Sequence, residues 1–555
     1  MIQKRKRLGD LLVDSSVISE KQLMQALHEQ KNTGLRLGDQ LIEMNLVSEQ
    51  QIIEVLEFQL GIPHVDLYRQ RLDKKLVNII SEDLARKHQI LPLKKTNNRL
   101  MVAMYDPLDY FALDDLRLST GFEIDPAIAK KEELRLAISR FYGIQKSIDQ
   151  MLKEMPFSEE DQDFLESQQS DDSPVAKMVN QLISQAVQLG ASDIHIDPFE
   201  TETLIRLRVD GILRTERTLP KKMNNMLVSR IKIMSSLNIA EKRLPQDGRF
   251  NLDLELKTID LRVSILPTVH GEKVVMRLLD TGSVKLGIER LGFSESNEIN
   301  FRRMINYPYG IILVTGPTGS GKSTTLYTAL NELNSDAVNL ITVEDPVEYQ
   351  IKGINQLQVK PSIGLTFAAG LRSILRQDPD VIMVGEIRDS ETAEIALRSA
   401  MTGHLVLSTL HTNDSAGAIS RLNDMGIEPF LIASSIVGVV AQRLVRKVCP
   451  HCSSKYTLSK EEEELFTSRG LKTNGIVKGA GCSYCNSTGY IGRFAIHEMI
   501  VVDDHLRQMI NIKQSDATYR EYVKEQGFKS LLDDGLTKAS QGKTTLEEIY
   551  RVLSY

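Results

Sequence analysis

Two stretches near the start of the chain carry apolar residues at helical spacing: Leu23, Met24 and Leu27 in one, Ile52, Ile53 and Leu56 in the other. Each follows a serine, Ser19 or Ser48, placed to cap a first turn, so each stretch predicts a helix. The pattern extends beyond these helices. RLGDLLVDSSVISEKQLMQALHEQ (7–30) and RLGDQLIEMNLVSEQQIIEVLEFQ (36–59) form a tandem repeat of 24 residues with a five-residue spacer, and each copy reads as a helical hairpin.

Further along, the period changes. From IPHVDL (62–67) to about residue 145, short β-rich runs such as RLMVAMYD alternate with helical stretches such as EELRLAISRFYG, which predicts a small α/β unit. KEMPFSEEDQDFLESQQSDDSP (153–174) is acidic and poor in aliphatic residues, the composition of a flexible linker. SDIHIDPFETETLIRLRVDGIL (192–213) alternates apolar and polar positions around a turn, as an antiparallel pair does, and GRFNLDLEL and TIDLRVSILPT continue that module. Then GIILVT, LITVE, DVIMV and HLVLSTL appear as separate apolar strands. FLIASSIVGVVAQRLV (430–445) reads as a buried helix.

The expected architecture is α/β and multidomain. It has a helical tandem repeat at 1–62, a small α/β subdomain at 63–148, an acidic linker at 149–174, a strand-rich module at 175–282, and an α/β domain at 283–555 with an insert at about 447–490.

Composition removes several classes of function. At 555 residues, 41% apolar and 26% charged, the chain has the make-up of a soluble protein of several domains. A net charge of −6 gives no sign of an overall nucleic-acid or membrane-surface binder, and no nucleic-acid polymer is expected as partner. No run of about 18 uninterrupted apolar residues occurs, and no apolar segment follows the basic start MIQKRKRLGD, so the expectation is a cytoplasmic protein whose membrane role is peripheral.

GPTGSGKST (316–324) satisfies G-x-x-x-x-G-K-[ST] between a predicted strand and a predicted helix. Glycines in such a loop let backbone N–H groups face phosphate oxygens, Lys322 reaches the β- and γ-phosphates, and Ser323 can bind Mg²⁺. The whole loop, Gly316, Pro317, Thr318, Gly319, Ser320, Gly321, Lys322, Ser323 and Thr324, is therefore the candidate ATP cradle. Two later strands end in acids, Glu344-Asp345 and Gly385-Glu386, and such carboxylates can hold the metal shell or polarise a water. His404 and His411 flank a third strand, where a γ-phosphate sensor would sit. Arg249, Arg262 and Arg277, in the preceding module, are candidates for neutralising transition-state charge from a neighbouring domain or subunit.

All four cysteines fall in two C-x-x-C knuckles, Cys449/Cys452 and Cys482/Cys485, with 29 residues between them. In a reducing compartment this pattern means tetrahedral zinc, and a site filled by four protein ligands is structural. In the tandem repeat, Arg7/Arg36 and Gln30/Gln59 recur in register alongside the apolar positions. Packing alone holds apolar positions and lets exposed polar ones drift, so the repeat favours a ligand site over a mere pair of packed hairpins.

SDIHIDP, RLPQDGR, GPTGSGKST, ITVEDPVEY, VGEIRD, TGHLVLSTLHTN and the two-knuckle insert resemble the secretion ATPase superfamily, in particular type IV pilus assembly and type II secretion ATPases. The resemblance implies a RecA-like P-loop ATPase domain with a zinc-binding insert, joined to a PAS-like N2 domain, in a ring of six subunits. It implies that Glu344 activates water, that Glu386 and Ser323 serve Mg²⁺, that His404 and His411 form a histidine box, and that Arg249, Arg262 and Arg277 clamp nucleotide or act in trans. It further implies an inner-membrane platform protein as partner.

The repeat is similar to an N-terminal domain of some of these ATPases that binds cyclic di-GMP. Matched by position, the contacts it implies are Arg7, Leu8, Gly9, Asp10, Leu11, Leu23, Leu27 and Gln30 in one copy. In the other they are Arg36, Leu37, Gly38, Asp39, Leu41, Ile52, Leu56 and Gln59, with Asp106 from the following subdomain. Where that pattern has glycine at its tenth position, this chain has Ser16 and Asn45, and asparagine is the residue that better tolerates a left-handed backbone. Two alternatives stay open: the same ATPase with the repeat as a partner-docking module, and a nucleotide-gated scaffold with little hydrolysis.

Overall fold

The computed structural model describes residues 8–15, 17–65, 67, 76, 79–142, 173–254, 257–279, 287–482, 484, 485 and 487–554. Most of the linker expected at 149–174, together with Arg7, Ser16 and the side chain of Gln59, lies outside the described residues. The chain divides into two compact units, one of residues 1–182 with 480–489, the other of 183–479 with 490–555.

In the first unit, each repeat copy is a short helix followed by a long one: α1 (Leu8–Asp14) and α2 (Glu20–Thr33), then α3 (Leu37–Glu43) and α4 (Glu49–Leu60). Ser19 and Ser48 both close capping boxes, accepting from the N–H of Gln22 and Gln51 while those glutamine side chains return to the serine N–H. Asn45 carries the turn between α3 and α4 at φ 52°, the left-handed conformation its position requires. Leu11, Leu12, Leu41 and Ile53 fill the core between the four helices, and Ile128 joins them. That residue ends a three-stranded sheet in which β1 (Ile90–Thr96) runs antiparallel to β2 (Arg99–Met104), and β2 parallel to β3 (Glu123–Ile128).

The second unit holds two large sheets. β4 (Ala191–Pro198), β5 (Glu202–Val209), β6 (Ile212–Pro220), β7 (Gln246–Leu254), β8 (Lys257–Thr268) and β9 (Gly271–Leu279) form an antiparallel sheet in the order β6-β5-β4-β9-β8-β7. β10 (Gly310–Thr315), β11 (Leu340–Glu344), β12 (Asn355–Gln358), β13 (Val381–Val384), β14 (Leu405–Leu410) and β15 (Ile436–Val448) are parallel. A small ribbon, β16 (Ser453–Lys455) with β17 (Val477–Gly479), precedes β18 (Tyr490–Val501), which adds antiparallel to β15 and completes the order β12-β11-β13-β14-β10-β15-β18.

One expectation is corrected here. Residues 430–445 do not form one buried helix: a helix spans only Pro429–Ser435, and the rest is β15, buried in the sheet between β10 and β18. A strand covered on both faces is apolar throughout, as a buried helix is, and the β-branched residues of IVGVV decide for the strand. No helix among the described residues is long and apolar enough to cross a membrane.

Candidate functional site

β10 is buried along its whole length and hands over to the glycine loop at Thr315. The loop is shaped by its neighbour Gln442 on β15. A Cβ on Gly316, whose φ is 150°, would lie 2.5 Å from the Gln442 carbonyl oxygen, and one on Gly321, at φ 90°, would lie 2.7 Å from its Nε2. Gln442 Nε2 donates to the Ser320 carbonyl at 2.8 Å, and Thr325 Oγ1 donates to Gln442 Oε1 at 2.7 Å. This buried amide braces the loop, and no pattern in the sequence singled it out.

Lys322 opens the following helix and folds back over the loop, donating to the carbonyls of Gly316 (2.9 Å) and Pro317 (3.1 Å). Burial pushes its ammonium down to about 8, against the opposing pull of Glu386 and with a further push from Arg443. Pro317, Thr318, Gly319, Ser323 and Thr324 are exposed, whereas Ser320 is buried and its Oγ has no hydrogen-bond partner among the described residues. A cradle of this kind, with an ammonium over it and a buried hydroxyl within it, fits a polyphosphate and its cation.

Two acids stand at the same ends of neighbouring strands. Glu386, just after β13, is paired with Arg388 (2.5 Å), and His411 Nε2, just after β14, lies 3.5 Å from its other oxygen. Ser323 and Glu386 carry oxygen donors of the kind Mg²⁺ takes. Glu344 closes β11 and is buried. Its Oε1 accepts from Thr342 Oγ1 (2.5 Å) and Gln356 Nε2 (3.1 Å), and its Oε2 accepts from the hydroxyl of Tyr327.

His404 does not join them. In the parallel pair of β10 and β14, Gly310 faces Leu405 and Thr315 faces Leu410, so His411 emerges beside the glycine loop and His404 at the opposite end of the sheet. A six-residue strand separates them, roughly 20 Å. Its Nδ1–H donates to the Ser399 carbonyl at 2.9 Å, which places His404 away from the loop where a γ-phosphate sensor would sit.

The three arginines of the antiparallel sheet stand in one row. Arg249 faces Arg262, Arg262 faces Arg277, Arg277 faces Asp193 and Asp193 faces Arg208, strand by strand. Opposed like charges destabilise a sheet. Asp193 accepts from Arg277 at 2.9 Å, Asp260 accepts from Arg249 at 2.7 Å, and Arg262 reaches out of its sheet to the Val347 carbonyl (2.6 Å) and the Glu348 carboxylate (3.1 Å). Arg208, a fourth member of the row, escaped the sequence reading.

The four cysteines converge. All are buried, and their Sγ atoms lie within 4.8 Å of one another. Tetrahedral thiolates at zinc distances are about 3.8 Å apart, so the cluster fits that ion. The N–H groups of Cys482 and Gly489 both donate to Cys485 Sγ at 3.2 Å, as they would to a thiolate.

In the first unit, the second repeat copy lines a pocket. Arg36, Gly38, Asp39, Ile52 and Leu56 form one wall, Leu8 contributes from the first copy, and Tyr105 and Asp106 close it from the small sheet. Arg36 pairs with Asp106 (3.3 Å) and Asp109 (3.1 Å), and burial pushes the Asp106 carboxyl up against the pull of Arg36. Asp39 accepts from Tyr105 (2.7 Å) and Lys131 (3.1 Å). Leu27 and Gln30 of the first copy line a separate surface groove, and Gln30 donates to the Leu35 carbonyl at 2.9 Å. Gly9 and Leu23 pack on each other, a Cβ at Gly9 meeting Leu23 at 2.7 Å, while Leu37 lies beside them and Asp10 is exposed. Leu11 and Leu41, expected as ligand contacts, are 1% and 0% exposed and pack in the core between the helices.

A family model described as type II/IV secretion system protein matches residues 168–551. The chain belongs to this family. A second model, the MshEN domain, matches residues 60–148, a range that supplies Tyr105 and Asp106 to the pocket. Among the family's curated members, the type IV pilus assembly ATPase PilB of Myxococcus xanthus is 42% identical over 556 residues, 98% of each chain. PilB of Thermus thermophilus is 47% identical over 501 residues, and the match spans 88% of this chain but 56% of that protein. The type II secretion system ATPase E of Vibrio cholerae is 52% identical over 402 residues, 72% of this chain and 79% of that one. The Legionella pneumophila ATPase DotB shares the fold, with a TM-score of 0.51 at 22% identity over 68% of this chain and 95% of its own.

Proposed function

We propose that this secretion-family ATPase is a motor for type IV pilus assembly or type II secretion, working as a hexameric ring on the cytoplasmic face of the inner membrane against a platform protein. The observation that carries the reading is the meeting of Lys322, Glu386 and His411 at one end of β10, β13 and β14. The glycine loop binds the phosphates of ATP, with Lys322 exchanging its carbonyl partners for phosphate oxygens. Ser323 and Glu386 hold Mg²⁺, which when bound shields phosphate charge. Glu344 orients and deprotonates water, and Arg249, Arg262 and Arg277 counter the charge of the transferring phosphoryl group, in their own subunit or in a neighbour. The antiparallel sheet is read as the PAS-like N2 domain (175–282), the parallel sheet as the RecA-like domain (283–555), and the cysteine cluster as a structural zinc site.

The helical repeat (1–62) and the small α/β subdomain (63–148) are read as a cyclic di-GMP sensor. An arginine over an apolar floor, with carboxylates at hand, suits a guanine and a phosphate, and the pocket of Arg36, Ile52, Leu56 and Asp106 supplies these. The test is calorimetric titration of cyclic di-GMP into the full chain, with phosphate release followed in parallel. Saturable binding lost in Arg36→Ala is expected. A folded chain that hydrolyses ATP without binding the dinucleotide would instead make the repeat a docking module, and binding without hydrolysis would leave a nucleotide-gated scaffold.

A pH dependence follows from Lys322. Without nucleotide its ammonium is held down to about 8 by burial. Polyphosphate favours the charged form, so ATP binding should take up a proton above that pH, and affinity should be flat below it and fall up to about tenfold per pH unit above it. Binding heats measured in two buffers of different ionisation enthalpy report the proton uptake. An affinity unchanged between pH 7 and 9.5 contradicts the role of Lys322.

A further inference from the structure

The phenol of Tyr327 is unused by the mechanism above. It sits on the helix that begins at Lys322, is 1% exposed, and packs its ring edge-on against Tyr349 with centroids 4.6 Å apart. Its hydroxyl is fully committed: it donates to Glu344 Oε2 and accepts the N–H of Glu348 at 3.1 Å. Burial pushes this hydroxyl strongly up, with the Glu344 charge and hydrogen bond adding to the shift, so it acts as a donor at any working pH.

The segment between Glu344 and Tyr349 is thereby held at two points. On one side is the Tyr327 hydroxyl. On the other is Arg262 of β8, which donates to the Val347 carbonyl (2.6 Å) and to the Glu348 carboxylate (3.1 Å). A carboxylate offers about four acceptor positions. Thr342 and Gln356 occupy two on Oε1 and Tyr327 one on Oε2, which leaves one position, on Oε2, for a water. The direction of that last lone pair is set by where the Tyr327 hydroxyl stands.

We propose that Tyr327 is a positioning residue that aims Glu344 Oε2 and couples that aim to the engagement of Arg262. The inference rests on the reading of Glu344 as the water-activating carboxylate. When Arg262 leaves Val347 and Glu348 for another partner, the Glu348 N–H shifts relative to the phenol, and the phenol carries the change to Glu344. The connection runs Arg262, Glu348, Tyr327, Glu344, each link a hydrogen bond between groups in the same compact unit.

The test is steady-state ATP hydrolysis by the full chain carrying Tyr327→Phe, alone and with Arg262→Ala, beside Glu344→Gln. Phenylalanine keeps the ring and its stacking and removes only the hydroxyl. The expected result is kcat down roughly tenfold, the size of one charge-assisted hydrogen bond, with KM for ATP unchanged and the melting temperature close to that of the unaltered chain. The kcat loss caused by Arg262→Ala should shrink in the Tyr327→Phe background, because the connection is already cut. An unaltered kcat in Tyr327→Phe, or multiplicative effects of the two substitutions, overturns the proposal while Glu344→Gln remains inactive. Full turnover in Glu344→Gln would refute the reading of Glu344 itself, a separate outcome.

Discussion

A Glu386→Gln chain should bind ATP and release almost no phosphate, with turnover down by about 10²–10⁴-fold. Glutamine keeps the volume of the side chain, with its oxygen placed to accept from Arg388 and its NH2 placed to donate to the neutral ring of His411, so the geometry of the site is preserved. What disappears is the negative charge at the end of β13. In the proposed mechanism that charge meets the cation opposite the glycine loop. Lys322→Ala gives the contrast: it removes the cation that now rests on the carbonyls of Gly316 and Pro317, so binding should weaken as well as turnover. Phosphate release at saturating ATP, set beside nucleotide affinity, separates the two. Normal turnover in Glu386→Gln would remove this carboxylate from the reaction.

How much of this was legible in the sequence depended on whether function left a pattern or a single residue. The glycine loop was legible because strand, loop and helix each have their own period and the motif must sit where they meet. The cysteines were legible because spacing alone restricts what four thiols can do. The repeat was legible because duplication holds polar and apolar positions together, and Ser19, Ser48 and Asn45 each took the backbone role their side chains suggested.

What escaped notice lies in register and direction. His404 and His411 flank one strand, but a sequence does not say which end of a sheet faces the loop until the parallel partner is known. The row of Arg208, Asp193, Arg277, Arg262 and Arg249 exists only once five strands are aligned across a sheet. Leu11 and Leu41 look like the neighbours expected to face a ligand at helical spacing, and only the closure of four helices turns them inward. Gln442 and Tyr327 are single polar groups outside any motif, where the ordinary expectation is a satisfied core residue. Both are satisfied, yet by the glycine loop and by Glu344.

Replacing Cys449 or Cys482 by serine should cost more stability than any other single change discussed, because it removes a ligand from the proposed zinc site. The cluster is not a pair of disulfides: Cys482 Sγ and Cys485 Sγ are 3.6 Å apart, far beyond a disulfide bond, and none of the four cysteines is in a disulfide. Four buried thiols without a cation would leave their donors, the N–H groups of Cys482 and Gly489, aimed at a poor neutral acceptor. With a divalent cation, the same N–H groups stabilise thiolate charge. Structural zinc in small domains is worth about 10–16 kcal/mol of apparent binding free energy at neutral pH. Even a fraction of that, lost locally, should loosen the β16–β17 ribbon and the end of β15, since Cys449 directly follows Val448. Gln442 sits six residues back along β15 and holds the glycine loop, so fraying that stops before it leaves hydrolysis by the surviving folded chains intact. The measurement is metal content together with thermal unfolding and phosphate release. One zinc per chain in the unaltered protein, none in Cys482→Ser, and a melting temperature that falls further than kcat is the expected set. Equal melting temperatures with and without a chelator would mean that the four thiols are held together by packing alone.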